Sequence, residues 1–426
     1  MTTGAEDSSV GRDRFIDIYG YEAHAEVLRS PNVSIGEGAG ANDQEHFRGG
    51  TVGRLDGPEH IKRRRVMNRL LRAHGHRSFR DNALYPTLEH NLGEIAATAD
   101  EDGVVRVELV GFLKRVSLQL AAALIGLVGV DKTEAAEELL ELQQTITRGA
   151  RDALSEVRLG FADADAVPAA VSATSRYVQK FYAPSLEYHQ KILDRIEAGE
   201  LSEDSLPNDL LSLIVTRADP AWDDPNVARK DTLVILRAGV NASTEAVLRA
   251  LDELNAWLPD HPEDRARNDD TSFLLDVVNE TMRLHPNLPG KLRRATQELR
   301  LESTGQVIPV GACPVLHTTE NNRDESVFGL DAAEFNPYRE IPAGAMPHGF
   351  SFGLGAHRCY GLPIVLGNGG IDGSLVHILQ RLLGLNVRPD PNESPTFEDR
   401  AYFPNSVYKS YPVQLTLAPL DRAESS

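Results

Sequence analysis

The stretch FGLGAHRCYG (residues 352–361) decides the interpretation of this 426-residue chain, because it places one cysteine between closely spaced glycines. Gly355 lies four positions before Cys359, and Gly361 lies two positions after it. Glycines there permit a tight turn and let a bound group approach the backbone closely. A thiolate that ligates a metal needs such a loop, since N–H groups directed at the sulfur tune the thiolate pKa and the metal. The pattern favours Cys359 as a metal ligand; the alternative is a small buried side chain, as unpaired cysteines often are.

The same stretch, written F-x-x-G-x-H-x-C-x-G, resembles the haem-binding signature of the cytochrome P450 superfamily. The resemblance implies that Cys359 is the axial ligand to the iron of haem b (heme b). It also implies a mainly α fold with small β-sheets, in which the haem lies between a long central helix and the cysteine loop. Phe352, Gly355, His357 and Gly361 are expected to contact the cofactor, His357 at a propionate.

Upstream motifs occur in the order that the resemblance requires. Glu280 and Arg283 form an E-x-x-R pair, whose spacing of three places both side chains on one helix face. Arg339, in the segment FNPYR, resembles the arginine that completes this charge network, so all three residues are predicted to be structural. Arg293 matches the family's arginine that binds a haem propionate.

The segment LDGPEHIKRR near the N-terminus resembles the family's D-P-P-x-H-x-x-x-R motif. His60 and Arg64 are spaced by four and share one helix face, so both are expected to meet haem propionates. Lys62, Arg63 and Arg65 are interpreted as a solvated basic face or as a docking patch for an electron donor.

A long helix predicted over 227–257 carries the sequence AGVNASTE, which resembles the family's oxygen-binding stretch. Ala238 and Gly239 match its first two positions and are expected to contact the haem. Asn241 replaces the usual acid and Ala242 the usual alcohol of the pair that relays protons. Asparagine forms hydrogen bonds but cannot act as an acid, and alanine does neither.

Three alternatives for the proton relay remain open. Ser243 or Thr244 can substitute if the helix widens locally into a π-bulge. Water or a substrate hydroxyl can complete the relay instead. The third alternative is that both hydroxyls are ordinary helix-surface groups. Asn241, Ser243 and Thr244 are the candidate catalytic residues.

A helix is also predicted over 361–384, directly after the cysteine. Gly367, Gly369, Gly370 and Gly373 lie inside it, where the family usually has alanine and leucine. Each glycine costs a helix about 1 kcal/mol relative to alanine. The packing of this segment is therefore the part of the resemblance most in question.

Helical periodicity dominates the rest of the chain, and strand patterns are fewer. Further helices are predicted over 59–71, 83–98, 107–128, 134–157, 168–198, 207–217 and 271–284. Strands are predicted over 299–301, 307–316 and 411–417. Residues 1–426 are interpreted as one domain with a short N-terminal lead-in and a disordered tail at about 421–426.

The formal net charge of −19 argues against nucleic acid as a partner, because phosphate backbones are bound by basic patches. Cys313 and Cys359 are the two cysteines, which favours a reducing cytoplasm over a cross-linked secreted scaffold. The N-terminus has no apolar core typical of a signal peptide. The most apolar stretch, 118–130, is too short to cross a bilayer, so a soluble cytoplasmic protein without membrane contact is expected.

The resemblance implies a monooxygenase that inserts one oxygen atom from O₂ into a small organic substrate. Electrons are expected from a separate ferredoxin and ferredoxin reductase, because Cys313 alone cannot hold an iron–sulfur cluster. The alternatives are peroxide-driven or rearrangement chemistry, and a haem-binding protein without turnover.

Pocket walls are expected from segments 36–54, 145–185, 287–291 and 404–408. Lys291 lies in the third segment, where a charged side chain is unusual. It is interpreted either as a partner for an acidic substrate or as a lysine that points into solvent.

Overall fold

The structure, a computed structural model, describes residues 15–35, 47, 49–159, 163, 165–368, 370–400 and 405–416. Most of the expected pocket segment at 36–54, residue 404 of the expected segment at 404–408, and the expected tail at 421–426 lie outside these residues. The α-helices are α1 (Tyr21–Arg29), α2 (Gly57–Met67), α3 (Ala73–Phe79), α4 (Tyr85–Ala96), α5 (Leu109–Ile125), α6 (Thr133–Leu159), α7 (Ala166–Tyr177), α8 (Ala183–Glu197), α9 (Leu210–Val215), α10 (Pro225–Trp257), α11 (Thr271–Leu284), α12 (Thr318–Asn321), α13 (Glu325–Phe328), α14 (Leu362–Leu366) and α15 (Ser374–Gly384).

Short strands are grouped in small sheets, as the sequence predicts for a mainly α fold. They are β1 (Phe15–Ile18), β2 (Val33–Ser34), β3 (Val104–Glu108), β4 (Gly290–Leu292), β5 (Arg294–Ala295), β6 (Leu299–Arg300), β7 (Val307–Ile308), β8 (Cys313–His317), β9 (Gly367–Asn368), β10 (Ile371–Asp372), β11 (Arg388–Pro389), β12 (Thr396–Arg400), β13 (Asn405–Ser410) and β14 (Pro412–Thr416).

The first of two compact units combines the described residues before 39 with 282–334 and 339–359. Its central sheet has the order β1-β8-β4, with β1 parallel and β4 antiparallel to β8. Buried side chains such as Ile18, Val27 and Leu316 form its core. This unit contains β4 and the cysteine loop.

The second unit contains most of the helices and is arranged around α10. Pro225 occupies the first turn of α10, and the Asp224 carboxylate before it accepts the Asn226 N–H at 2.8 Å. These are the residues that favour a helix start. Helices α5 and α10 pack closely, and Ala121 of α5 lies opposite Gly239 of α10.

Most predicted helices are present close to their predicted bounds, including 227–257, which is found as α10. The segment predicted as one helix over 168–198 contains a π-helical turn, Val178–Tyr182, between α7 and α8. Pro184 follows that turn and has no N–H to donate, so the regular hydrogen-bond ladder is interrupted there.

The prediction of one helix over 361–384 is wrong. Helix α14 ends at Leu366, the β9–β10 hairpin follows, and α15 begins at Ser374. Gly367 has φ +100°, and an added Cβ would lie 2.3 Å from the Ile371 carbonyl oxygen. Only glycine fits a left-handed backbone that is packed so tightly, so Gly367 forms a turn where a helix was predicted.

The strand predicted over 307–316 is divided into β7 and β8 by a turn at Gly311, which has φ +80°. Sequence periodicity missed β3 and the β12–β13 hairpin, which are exposed or short. Across the described residues, no helix combines the length and apolar character that crossing a membrane requires.

Candidate functional site

The cysteine loop is closed by hydrogen bonds of its own backbone. The Cys359 N–H donates to the Phe352 carbonyl at 2.7 Å, and the Gly353 N–H donates to the Phe350 carbonyl at 2.8 Å. A single 3₁₀ turn, Gly355–His357, lies between Phe352 and Cys359, and Gly361 directly precedes α14. The side chain of Cys359 is exposed while Phe352 is buried. The loop therefore presents a thiol on a backbone that is already folded around it.

Gly355 shows why this loop requires glycine. Its φ is +71°, and an added Cβ would lie 2.6 Å from the carbonyl oxygen of Leu28 in α1. The backbone of the loop thus packs directly on α1. Any side chain at this position would force the two segments apart.

Asn322 holds the start of the loop. Its Oδ1 accepts the Phe350 N–H at 2.7 Å, and its Nδ2 donates to the Arg283 carbonyl at 2.9 Å. The Asn322 side chain is fully buried. A buried amide with good partners on both ends fixes local geometry. This link joins the loop to the end of α11.

Arg283 and Arg339, two of the three residues predicted as structural, converge on the same backbone segment. Arg283 donates to the carbonyls of Asn322 and Ala332, and both arginines donate to the Glu334 carbonyl. Glu280, the third, is buried and accepts the Asn336 N–H at 3.2 Å.

Lys291 reaches the same loop from β4. Its Nζ donates to the Phe350 carbonyl at 2.9 Å and to Thr318 Oγ1 at 3.0 Å. Burial, together with the charge of nearby Arg293, lowers the pKa of Lys291 to about 7, while Cys359 opposes the shift. The interpretation of Lys291 as pointing into solvent is wrong, because its ammonium is bound by protein acceptors. Pairing with an acidic substrate gains no support from these contacts.

Arg293, directly after β4, is half-buried. Its N–H donates to the Pro314 carbonyl at 3.2 Å, and its Nη1 donates to the Leu292 carbonyl at 2.8 Å. His357 is also half-buried, in the 3₁₀ turn of the loop. Propionate contacts from these two residues stay predictions.

Arg64 lies beside the residue that follows the cysteine. Its guanidinium carbon is 5.3 Å from the centre of the Tyr360 ring, and the Tyr360 hydroxyl donates to the Met67 carbonyl at 2.8 Å. His60 is buried one turn earlier on α2. Helix α2 is thus attached to the position after Cys359, and propionate binding by His60 and Arg64 stays a prediction.

Arg63 does not belong to the basic face on which it was predicted. Its side chain is buried, and its guanidinium donates to the Gly50 carbonyl and, at 3.5 Å, to Asp231. Burial raises the pKa of Asp231 above its usual value. Hydrogen bonds from Trp222 and Val52 and the charge of Arg63 oppose this shift without cancelling it. A buried carboxylate needs such partners. Lys62 and Arg65 are exposed, as predicted.

The candidate relay residues lie on a regular part of α10. The helix is α-helical from Pro225 to Trp257, so the π-bulge considered for Ser243 and Thr244 is absent from it. The Thr244 hydroxyl is buried and donates to the Val240 carbonyl at 3.0 Å. Asn241 and Ser243 are half-buried.

The first two positions of that stretch differ in their surroundings. Ala238 is exposed, while Gly239 lies at the close approach of α10 to α5. Their predicted contacts with the haem stay predictions.

Comparison with known proteins agrees with this arrangement. The family model "Cytochrome P450" matches residues 248–401. The C-19 steroid 1alpha-hydroxylase of Sorangium cellulosum is 25% identical over 349 residues, covering 82% of this chain and 77% of that protein. The bifunctional cytochrome P450/NADPH–P450 reductase 2 of Bacillus subtilis is 28% identical over 211 residues, or 43% of this chain but only 19% of that protein.

A solved structure shows the same fold. CYP109E1 from Bacillus megaterium, in complex with corticosterone, superposes with a TM-score of 0.67 at 14% identity. The alignment covers 95% of this chain and 93% of that one. Residues 248–401 thus match the cytochrome P450 family, and the chain has the cytochrome P450 fold. Members of that family bind haem through a cysteine thiolate.

The residues of the loop fit the group that a P450 binds. Cys359 is exposed, and the Lys291 ammonium is bound to the Phe350 carbonyl just before the loop, where positive charge suits an anionic sulfur ligand. Gly355 leaves no room for a side chain where the loop packs on α1. Cys359 would hold the iron of a P450 haem.

Residues that contact the segment before the cysteine were not found from the sequence. His24 is buried in α1 and its ring stacks on Phe350, with centroids 4.1 Å apart. Burial, with Lys291 and Arg293 nearby, lowers the pKa of His24 well below its usual value. Its Nδ1 and the Asn321 Nδ2 are 2.8 Å apart. No local pattern marks such residues, because their partners are remote in sequence.

Proposed function

We propose that this P450 is a haem–thiolate monooxygenase that inserts one oxygen atom from O₂ into a small organic molecule. The observation that carries the proposal is the exposed Cys359 thiol on a glycine-turned loop with a cation nearby. We propose haem b as the cofactor. When bound, haem supplies the activation of O₂, and the protein supplies the thiolate ligand, the substrate pocket and the protons.

Proton supply is the step for which the chain has unusual residues. Asn241 offers an amide that orients water but releases no proton. The Thr244 hydroxyl is engaged with the Val240 carbonyl, which leaves Ser243 and bound water as better donors. We propose that Asn241 and Ser243 hold the water through which protons move.

Electrons are proposed to come from an acidic partner of the ferredoxin type. The chain as a whole carries a net charge of −19, yet residues 60–80 contain no acidic side chain. Exposed cations follow one another there, namely Lys62, Arg65, Arg69, Arg72 and Arg77. Complementary charge speeds the encounter of two proteins and orients them. Helix α2, which carries Lys62 and Arg65, contacts Tyr360 through Arg64, so this basic surface adjoins the residue after the candidate ligand.

The substrate class is suggested by relatives. The Sorangium protein is named as a steroid hydroxylase, and the Bacillus megaterium protein was crystallised with corticosterone. We propose steroids as the first compounds to test. We also propose a cytoplasmic location, because a chain with two cysteines suits a reducing compartment.

Turnover of testosterone and corticosterone by the haem-loaded protein tests the function. One reaction contains O₂, NADPH, a ferredoxin and its reductase, and the other contains hydrogen peroxide alone. A hydroxylated product in the first reaction, with an ¹⁸O label from ¹⁸O₂, supports the monooxygenase. Product with peroxide alone supports the peroxide-driven alternative. If a broader library also gives no product, although the reduced haem binds carbon monoxide, the protein binds haem without catalysing oxygenation.

A further inference from the structure

Lys291 is half-buried, and its ammonium is unusual because neutral oxygen atoms of the protein hold it. It donates to the Phe350 carbonyl and to Thr318 Oγ1, and Thr318 itself is fully buried. Placing a charged lysine away from water is unfavourable unless hydrogen bonds and nearby anions compensate. A lysine kept in such a place needs an explanation in terms of its contacts.

We propose that Lys291 is a positioning residue for the cysteine loop, holding the turn that precedes the candidate ligand. The proposal deepens the proposed haem–thiolate function, and the loop contact itself can be tested with or without haem.

The geometric argument follows the hydrogen bonds from β4 to the ligand. The Phe350 carbonyl accepts from two donors, Lys291 Nζ at 2.9 Å and the Gly353 N–H at 2.8 Å. Two residues later, the Phe352 carbonyl accepts the Cys359 N–H at 2.7 Å. The position of the Phe350 carbonyl therefore sets the turn on which the Cys359 backbone rests.

The other end of the contact is rigid. Lys291 is paired with Leu316 in the antiparallel β4–β8 ladder. Thr318, directly after β8, donates its N–H to the Pro289 carbonyl at 2.7 Å. Lys291 thus transmits the position of a sheet to the loop, which a flexible surface lysine could not do.

Four variants separate the hydrogen bond from the charge. Lys291→Met removes both, Lys291→Gln keeps a donor without the charge, and Lys291→Arg keeps both. Thr318→Val is the matched control, since it removes the other acceptor of Lys291 and leaves the charge in place. Each variant is prepared as the full-length haem-loaded protein and as the haem-free chain.

Amide hydrogen exchange of the peptide covering 350–359 reports on the loop with or without haem. We expect exchange of the Gly353 and Cys359 amides to be about tenfold faster in Lys291→Met and close to the wild-type rate in Lys291→Arg. Thr318→Val should have a smaller effect on these amides. Unchanged exchange in Lys291→Met would overturn the positioning role.

Unchanged exchange in all variants, with only a lower melting temperature, would make Lys291 an ordinary structural residue. If the wild type shows no haem–thiolate spectrum, the proposed function fails, and hydrogen exchange still decides the loop contact. If Lys291→Met does not fold, Lys291→Leu, which also lacks a donor, supplies the exchange measurement.

Discussion

The Arg64 guanidinium stacks on Tyr360, the residue directly after the candidate iron ligand, at 5.3 Å from the ring centre. The Tyr360 hydroxyl also donates to the Met67 carbonyl, so α2 contacts Tyr360 at two points. Burial raises the pKa of Tyr360, and its hydroxyl remains a donor throughout the physiological range.

The contact between α2 and Tyr360 should contribute measurably to stability. Tyr360→Phe keeps the stacking and removes the hydrogen bond to Met67, so the free energy of unfolding should fall by about 1 kcal/mol. Chemical denaturation of the haem-loaded protein measures this change. Tyr188→Phe, at an exposed tyrosine, is the control and should have no effect. Equal stability of Tyr360→Phe and wild type would mean that the hydrogen bond contributes nothing.

Cys359 should determine the spectrum of the reduced haem with carbon monoxide. Cys359→His should lose the absorption band characteristic of a thiolate ligand, because the sulfur donor is gone. Cys313→Ser should keep it, since Cys313 lies in β8 and belongs to the sheet. Retention of the band in Cys359→His would contradict the assignment of the ligand.

The proton relay can be tested by restoring the residues that the family usually has. The double variant Asn241→Asp and Ala242→Thr introduces an acid and an alcohol on α10. We expect a larger share of the electrons consumed to appear in product, because an acid can deliver protons that an amide cannot. The measurement is the ratio of product to NADPH consumed. An unchanged ratio would exclude this stretch as the relay.

His189 should make stability depend on pH. Burial opposes its protonation, but the hydrogen bond and charge of Asp209, at 2.8 Å, raise its pKa above the usual value. A raised pKa stabilises the fold below the unfolded pKa, and this contribution is lost as pH rises through the folded pKa. The free energy of unfolding of wild type relative to His189→Gln should therefore be larger at pH 6 than at pH 9.

Urea denaturation at the two pH values measures this difference. The exposed His74 supplies the control, because His74→Gln should leave the pH dependence as in wild type. A pH dependence that His189→Gln does not alter would assign it to other groups.

The Gln143 side chain is expected to lower the stability of the native protein. It is fully buried in α6, and among the described residues neither its Oε1 nor its Nε2 has a hydrogen-bond partner. Gln143→Leu removes a buried polar group of similar size and should raise the free energy of unfolding by about 1 kcal/mol or more. Gln144→Leu, at the exposed neighbour, is the control and should change stability little. Lower stability of Gln143→Leu would show that the amide is satisfied in solution.

Much of this protein follows from the sequence because the deciding features are local. The cysteine loop is recognisable since its chemistry requires particular residues at fixed spacing, and the loop closes by hydrogen bonds within residues 350–361. Helix α10 was predicted over 227–257 and found as Pro225–Trp257, because a proline, a capping aspartate and regular periodicity mark it. The glycines between 367 and 373 also indicated that a helix is unfavourable there, but they did not predict that a hairpin would form.

Other features depend on residues that meet only in the folded chain. Lys291 and Phe350 are 59 positions apart, and Arg63 and Asp231 are 168 apart. A charged side chain in an isolated segment is best predicted as solvated, since water is its default partner. The tertiary structure removes that water and supplies a carbonyl, a hydroxyl or a carboxylate in its place. The sequence by itself therefore determined the fold class and the candidate ligand, whereas the tertiary structure decided which charges are buried and what they hold, because desolvation and hydrogen bonding depend on every segment packed around a side chain.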